Sequence, residues 1–172
     1  VACARCNLNV TAAHRLPPAG RLAFISQSGA LATSIFDSAD KEGIGFSYFV
    51  SLGSMMDVEF GDAIDYLGND PRVSSIVMYM EQLNSGRRFM SAARAVSRIK
   101  PIIALKAGRT APGEQAAARH TGAETGEDAV YDAAFKRAGI LRVRTFEELF
   151  DCAELVAKHP RPQKAGLIIV SN

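Results

Sequence analysis

The stretch RLAFISQSGALATSIFDSADKEG, residues 21–43, decides which fold we expect for this chain of 172 residues. Its first part, RLAFIS (21–26), is a short apolar run of the kind that forms a buried strand. After QSGA (27–30), an amphipathic segment begins at Leu31 and predicts a helix. A strand that leads directly into a helix is half of a βαβ unit.

The same strand and helix pattern repeats along the chain and predicts an α/β fold. Helical patterns separate the later strands, and such alternation is typical of parallel strands with crossover helices. Five strands in this series favour a flavodoxin-like, doubly wound parallel sheet, whose ligand crevice lies at the carboxyl ends of the strands. The four further strands are predicted over residues 46–52, 74–80, 101–108 and 140–143.

Composition and charge exclude several classes of protein. With 48% hydrophobic and 22% charged residues, the chain can bury an ordinary globular core. A formal net charge of +2 is too small to indicate a nucleic-acid or membrane surface. No apolar run approaches the roughly 20 residues that span a bilayer, and the first residues lack the layout of a signal peptide. We therefore expect a cytoplasmic protein with neither nucleic acid nor membrane as a partner.

The two ends of the chain lie outside the predicted flavodoxin-like domain. Residues 1–20 contain Pro17-Pro18 and are interpreted as a linker from an upstream domain. Residues 21–158 form the predicted flavodoxin-like domain. Residues 159–172 are interpreted as a linker followed by the first strand of a further domain, over 165–171. The chain is thus expected to be a piece of a larger protein.

Cys3 and Cys6 form a CxxC pattern, which suits either a redox pair or half of a zinc site. No second ligand pair follows at zinc spacing, and the sequence predicts no strand before the pattern. On these grounds we expect neither a functional role for the pair nor a metal site in the chain. Cys152 lies at an apolar position of a predicted helix and is interpreted as a core residue.

Two loops at the carboxyl ends of the predicted strands carry candidate chemistry. SQSGA (26–30) places small residues at a helix N-terminus, where free N–H groups and the helix dipole favour an anion. An ordinary tight turn is the alternative. Residues 107–126 form a connection of about 20 residues, far longer than the usual 2 to 6, and loops of that length are usually functional or disordered.

His120 lies in this long connection and is a candidate nucleophile. A neutral imidazole near helix N-termini can accept a phosphoryl group, although a solvated loop histidine remains the alternative. Glu81 directly follows the third strand, where a carboxylate can accept a ring N–H and fix the reactive nitrogen. A capping or surface glutamate is the alternative there. The residues alone thus predict an anion-handling crevice with a candidate nucleophilic histidine.

Several separated motifs together resemble one family. They are GRLAFISQSGALATS (20–34), VSLGSMMDVEFGDAIDYLGNDP (50–71), the glutamate after MYM (78–81), and KAGRTAPGEQAAARHTGAETGEDAVYDAAFKRAGILRV (106–143). In this order they resemble the succinyl-CoA-synthetase-like flavodoxin domain of NDP-forming acyl-CoA synthetases, which include the ADP-forming acetyl-CoA synthetases. The resemblance covers about residues 20–158.

The resemblance implies a role for each candidate residue. His120 in RHTGA matches the histidine that carries the phosphoryl group in this family, and Glu81 matches a glutamate that contacts it. The helix that opens at SGA is implied to bind phosphate, with a second helix start near GA in the RHTGA motif close by. The implied phosphate-binding residues are Ser28, Gly29, Ala30, Gly122 and Ala123.

The resemblance also implies a reaction and the partners that it needs. Acyl-CoA, ADP and phosphate would give the acid, CoA and ATP, reversibly, through an acyl phosphate and phospho-His120. The implied cofactors are CoA or acyl-CoA, ADP or ATP with Mg²⁺, and phosphate. CoA and nucleotide would be bound mostly by an upstream Rossmann-type domain and an ATP-grasp domain, in the same protein or a partner subunit. We expect an oligomer, and an isolated fragment without activity.

Two other functions remain open at this point. FSYFVSLG (46–53) and EQLNSGRRFMSAARAVSRIKPI (81–102) resemble the branch of the family that is fused to a GNAT protein lysine acetyltransferase in bacteria. The domain would then be a non-catalytic regulatory module that senses acyl-CoA. A flavodoxin-like domain can also bind FMN, which would make the protein yellow.

Overall fold

A computed structural model of the chain describes residues 1–121, 126–159, 166 and 168–171. These residues form seven strands in one mixed sheet, in the order β2-β1-β4-β3-β5-β6-β7. The strands are β1 Ala2–Cys3, β2 Leu8–Asn9, β3 Ala19–Ser26, β4 Phe46–Ser51, β5 Ser75–Met80, β6 Ile102–Lys106 and β7 Leu141–Val143.

Helices cover both faces of the sheet. On one face α2, α3 and α5 pack with Ile25, Ile76 and Met78, and on the other α1 and α6 pack with Phe24 and Val77. Alternate residues of the central strands therefore enter two separate cores, as expected for a sheet that is buried on both sides. The helices are α1 Leu31–Glu42, α2 Phe60–Asn69, α3 Gly86–Val96, α4 Ala111–Thr121, α5 Asp128–Ala138 and α6 Phe146–Lys158.

The predicted α/β fold with a doubly wound parallel sheet is confirmed. The strands β4-β3-β5-β6-β7 are neighbours in this order and all pair in parallel. The first of these strands in the sequence, β3, occupies the second position. The chain adds β4 on one side of β3 and then adds β5, β6 and β7 on the other side, which gives the flavodoxin-like order 2-1-3-4-5. The switch point lies between β3 and β5, so loops at their carboxyl ends border the expected ligand crevice.

The N-terminal segment adds two short strands that the sequence did not predict. β1 pairs antiparallel with β2, and its Ala2 pairs with Phe49 of β4. Ala2 and Cys3 are buried. This part of the predicted linker is thus an ordered edge of the sheet, whereas its connection to an upstream domain remains a prediction. A strand of two residues is too short to produce a periodic pattern.

The connection over residues 107–126 is not a loop throughout, and our prediction was wrong in this respect. Helix α4 occupies Ala111–Thr121. Thr110 starts it, because its Oγ1 accepts a hydrogen bond from Gly113 N at 3.2 Å and its carbonyl accepts one from Glu114 N at 2.7 Å. Pro112 is tolerated in the first turn, where its missing N–H is not needed. The helix lacks an apolar stripe, which is why its periodicity is weak.

The strand predicted over 165–171 does not form in the described residues, which are 166 and 168–171 in this part of the chain. Ile168, Ile169 and Val170 are 88%, 81% and 91% exposed. An isolated apolar run has no neighbouring strand to satisfy its backbone groups, so it gains nothing from strand pairing. The assignment of this segment to a following domain remains a prediction. Across the described residues, every helix is too short or too polar to cross a membrane.

Candidate functional site

A cavity of about 380 Å³ lies at the carboxyl edge of the parallel sheet. Three neighbouring strands contribute to it: the turn after β3, the end of β5 and the residues after β6. Helix α4 closes its remaining side. The lining residues are Ser28, Leu31, Tyr79, Glu81, Ala107, Gly108, Gly113 and Ala116. The cavity is therefore in the position predicted for the ligand crevice, and it joins Ser28 to Glu81.

The N-terminus of α1 faces this region with uncapped backbone groups. Its N-cap residue, Ala30, has no side chain that could accept from the first turn. The turn before it is held by Ser26 Oγ, which donates to the carbonyl of Ser28 at 2.6 Å. Ser28 is half-buried, whereas Gly29 and Ala30 are exposed. Of the N–H groups in the first turn, Ala32 N donates to the carbonyl of Gly29 at 3.3 Å, and no side chain caps this helix start. Binding of an anion by SQSGA remains a prediction.

Gln27 connects this turn to the end of β5, a role that sequence analysis missed. Its backbone N–H donates to the carbonyl of Tyr79 at 3.0 Å. Its side-chain Oε1 accepts from Glu81 N at 2.8 Å and from Gln82 N at 3.0 Å. Only 6% of Gln27 is exposed. A polar residue between an apolar strand and a small-residue turn was the signal that could have identified it.

Glu81 lies almost fully inside the crevice, with 8% of its surface exposed. It follows β5 directly, and the contact with Gln27 fixes its backbone. Its negative charge adds to burial in raising the pKa of Tyr79. The prediction that a carboxylate lies at this strand end, within the candidate site, agrees with this geometry. Its contact with the histidine remains a prediction.

Lys106 is a buried cation at the end of β6, which the sequence analysis did not identify. It is 2% exposed, and its Nζ donates to the carbonyl of Ala107 at 2.6 Å. The Nζ also lies 4.6 Å from the centre of the Tyr131 ring, a distance typical of cation–π contacts. Burial lowers the pKa of Lys106 to about 8, against the opposing effect of Asp128. A lysine inside the apolar run 101–108 was the available signal.

Arginines and a carboxylate surround the start of α5, close to the same strand end. Asp128, the first residue of the helix, forms ion pairs with Arg142 and, at 3.9 Å, with Arg109. Arg142 also pairs with Asp132 at 3.1 Å. A carboxylate in the first turn is favoured by the helix dipole. The arrangement keeps two guanidinium groups near the residues that follow β6.

His120 belongs to α4 rather than to an extended loop. The same helix contributes Gly113 and Ala116 to the lining of the cavity. The helix that follows α4 in the described residues, α5, begins at Asp128. Gly122 and Ala123 themselves lie outside the described residues. Their phosphate contacts, and the role of His120, remain predictions.

Known proteins resemble this chain over most of its length. Residues 19–156 match the family model described as the succinyl-CoA ligase like flavodoxin domain. The chain is 45% identical to the acetate–CoA ligase (ADP-forming) of Methanocaldococcus jannaschii, over 96% of this chain and 23% of that protein. It is 44% identical to the alpha subunit of acetate–CoA ligase (ADP-forming) I of Pyrococcus furiosus, over 89% of this chain and 33% of that protein.

A solved structure gives the same result. The dinucleotide forming acetyl-coenzyme A synthetase 1 of Ca. Korarchaeum cryptofilum, in complex with phosphate and ADP, superposes with a TM-score of 0.88 at 39% identity. The match covers 95% of this chain and 36% of that one. The chain thus spans only about a quarter to a third of the length of these relatives. The resemblance inferred from the motifs is confirmed, and the chain belongs to the family of succinyl-CoA-ligase-like flavodoxin domains.

Proposed function

We propose that this domain carries the phosphoryl group in an ADP-forming acyl-CoA synthetase, which converts acyl-CoA, ADP and phosphate reversibly into the acid, CoA and ATP. One observation carries the proposal. In a member of this family, the cavity joins the uncapped start of α1, Glu81 and helix α4, to which His120 belongs. Relatives named as ADP-forming acetate–CoA ligases support the reaction class.

Phosphate would bind at the N-terminus of α1. Backbone N–H groups after Ser28 offer hydrogen bonds, and the helix dipole supplies positive potential. Lys106, at the end of β6, adds a positive charge to the same edge of the sheet, since a pKa of about 8 leaves most of it protonated at pH 7. These features suit a phosphoryl group that must stay bound while it is transferred from the acyl group to His120 and then to ADP.

The proposed reaction has three steps. Phosphate attacks the acyl carbonyl of acyl-CoA, and CoA leaves as its thiolate, which gives an acyl phosphate. A ring nitrogen of His120 then attacks phosphorus, and the P–O bond to the acyl group breaks to release the acid. Finally an oxygen of ADP attacks the phosphohistidine, the P–N bond breaks, and ATP forms. Glu81 would accept the other ring N–H and keep the attacking nitrogen unprotonated.

Other parts of the protein would complete this reaction. We expect an upstream Rossmann-type domain to bind CoA and an ATP-grasp domain to bind the nucleotide with Mg²⁺, in the same chain or in a partner subunit of an oligomer. The small share of each relative that this chain covers supports further domains or subunits. The phosphate and ADP in the solved relative support the ligand classes.

Turnover of the protein that contains this domain and its companion domains tests the proposal. ATP formation is measured with acetyl-CoA, ADP, Mg²⁺ and phosphate for the wild type, for His120→Ala and for His159→Ala, a control at an exposed histidine. We expect His120→Ala to abolish ATP formation and His159→Ala to leave it unchanged. Full activity of His120→Ala would contradict the proposal, and acyl-CoA binding without turnover in the wild type would favour the regulatory module.

A further inference from the structure

The two cysteines of the N-terminal CxxC pattern lie in direct contact. The Sγ atoms of Cys3 and Cys6 form a hydrogen bond of 2.9 Å. Cys3 is the last residue of β1 and is buried, while Cys6 ends a short 3₁₀ turn and is exposed. The sequence analysis counted the absence of a preceding strand against a redox pair, and the structure places Cys3 itself at the end of the short strand β1.

We propose that Cys3 and Cys6 are a reversible dithiol–disulfide pair, which makes this edge of the sheet a redox modification site. A disulfide bond requires an S–S distance of about 2.05 Å, so a small movement of the side chains closes it. The proposal is independent of the proposed function, because it rests only on the geometry of the edge.

The exposure of the two thiols sets the order of the reaction with a disulfide oxidant such as oxidised glutathione. The exposed thiolate of Cys6 attacks one glutathione sulfur, and a first glutathione thiolate leaves. The thiolate of Cys3 then attacks the Cys6 sulfur of this mixed disulfide, and a second glutathione thiolate leaves. Two cysteine thiols are thereby oxidised, one glutathione disulfide is reduced, and two protons are released.

A dithiol pair fits the surroundings better than a metal site. In the part of the chain that the structure describes, no group of three or more histidine, cysteine, aspartate or glutamate side chains is placed to hold a metal ion. Two thiolates alone leave the usual four-coordinate zinc shell half empty. The third cysteine, Cys152, is half-buried on α6 and serves as an internal reference.

The protonation of Cys6 sets the pace of oxidation. Its hydrogen bond with Cys3 raises the pKa of Cys6, and the positive charge of Arg72 opposes this increase. A raised pKa leaves less thiolate at neutral pH, so we expect oxidation to be slow there and to accelerate as the pH increases. This behaviour is that of a pair which responds to sustained oxidation.

Formation of the Cys3–Cys6 disulfide would restrain residues that line a second cavity. This cavity is next to the proposed anion site, because Gly29 belongs to its lining. β1 is joined to β4 through the pairing of Ala2 with Phe49. Val10, Thr11 and Ala12, directly after β2, line a cavity of about 470 Å³ together with Gly29, Phe49 and Ser51. A covalent link between Cys3 and Cys6 would fix the turn that connects β1 to this wall.

Peptide mapping tests the proposal, because Arg5 lies between the two cysteines. The folded chain is equilibrated with reduced and oxidised glutathione, its free thiols are alkylated, and it is digested with trypsin without reductant. Trypsin cleaves after Arg5, so the peptide that ends there stays joined to the peptide that begins at Cys6 only if the bond has formed. Cys152→Ser should leave this result unchanged, and Cys3→Ser should leave Cys6 as a mixed disulfide with glutathione.

The denatured chain provides the comparison that isolates the effect of the fold. We expect the ratio of joined to separate peptides to fall by about tenfold or more when the same equilibration is performed in urea, since unfolding separates the sulfur atoms. Equal ratios in the folded and denatured chain would overturn the proposal. A stable mixed disulfide on Cys6 of the folded wild type, with Cys3 still free, would overturn it as well.

Discussion

The side-chain Oε1 of Gln27 accepts a hydrogen bond of 2.8 Å from the backbone N–H of Glu81. This contact joins the turn after β3 to the end of β5, across the point where the strand order reverses. Because Gln27 is nearly buried, the contact is shielded from competing water. The proposed phosphate site and the proposed orienting carboxylate are therefore held by one side chain.

Replacement of Gln27 by alanine should weaken both the fold and the site. Gln27→Ala leaves the N–H groups of Glu81 and Gln82 without their acceptor. Loss of a partner at a buried donor costs about 1–3 kcal/mol, so we expect the free energy of unfolding in urea to fall by about that amount. An unchanged free energy of unfolding would mean that another group or water replaces Gln27.

Gln27→Glu is the matched control for this position. A carboxylate keeps the acceptor oxygens but introduces a negative charge next to Glu81 and the start of α1. We expect stability closer to the wild type than in Gln27→Ala, but weaker phosphate binding, since the added charge repels an anion. Phosphate binding is measured by calorimetry, and equal affinities for wild type and Gln27→Glu would argue against an anion site at this turn.

Glu81→Gln tests whether the charge of this side chain orients His120. The substitution retains the size of the side chain and the backbone contact with Gln27, so the fold should be kept. If the carboxylate fixes the histidine tautomer, ATP formation should drop by about 10–100-fold or more, the lower range being that found for groups that orient metal-binding histidines. A kcat equal to that of the wild type would exclude this role.

Lys106 predicts a distinct dependence of stability on pH. Burial lowers the pKa of Lys106 to about 8 in the folded chain, compared with about 10.4 for an ordinary lysine. Between these values the unfolded chain binds more protons than the folded chain, so this group makes stability increase with pH. Below about pH 8 both states are protonated and the contribution to the slope disappears.

Lys106→Met removes this titration and fills the same space. The difference in the free energy of unfolding between the wild type and Lys106→Met should therefore shift in favour of the wild type from about pH 8 to pH 10. Urea unfolding of both proteins across this range measures it. A difference in the free energy of unfolding that stays the same from pH 8 to pH 10 would mean that Lys106 is not buried as a cation.

A cluster at the opposite end of the sheet gives a prediction for acid. Arg72 donates to both carboxylate oxygens of Asp70, and Tyr48 Oη donates to the same carboxylate at 2.8 Å. The hydrogen bonds from Arg72 hold the pKa of Asp70 well below its usual range. The resulting stabilisation is complete above the ordinary aspartate pKa of about 3.9 and is lost as the pH falls below it.

Asp70→Asn should therefore be less stable than the wild type at pH 7, with a difference that shrinks progressively below about pH 4. Asp65→Asn, at an exposed position of α2, the helix that ends just before Asp70, should show only a small difference. Thermal unfolding of the three proteins between pH 3 and pH 7 checks this. A stability difference between the wild type and Asp70→Asn that stays constant down to pH 3 would contradict a stabilising role of the Asp70 carboxylate.

The main fold could be predicted from the sequence because its strands are long and apolar on both faces. RLAFIS (21–26) lies between two helical layers, so a continuous apolar run marks it as a central strand. Helix α4 could not be recognised in this way, because its described side chains are largely exposed and give no apolar stripe. β1 and β2 were missed since two residues carry no period.

The site could be predicted in part. Ser28 and Glu81 lie within two residues of the ends of β3 and β5, and the carboxyl ends of parallel strands share one edge, so position along the chain was sufficient to predict that they lie together. The contact of Gln27 with the next loop and the burial of Lys106 depend on packing between distant segments. The local sequence marks Gln27 and Lys106 only as polar residues at the ends of apolar runs, which does not reveal what they contact.

Detection of phosphate on His120 tests the central claim most directly. The protein with its companion domains is incubated with Mg-ATP, kept alkaline, digested with trypsin and examined by mass spectrometry. Cleavage after Arg119 places His120 at the start of a peptide that runs to Lys136 and contains no other histidine. We predict an acid-labile phosphate on this peptide that is absent from His120→Ala. An unmodified peptide from a protein with bound ATP would contradict the claim and favour an acyl-CoA-sensing regulatory module.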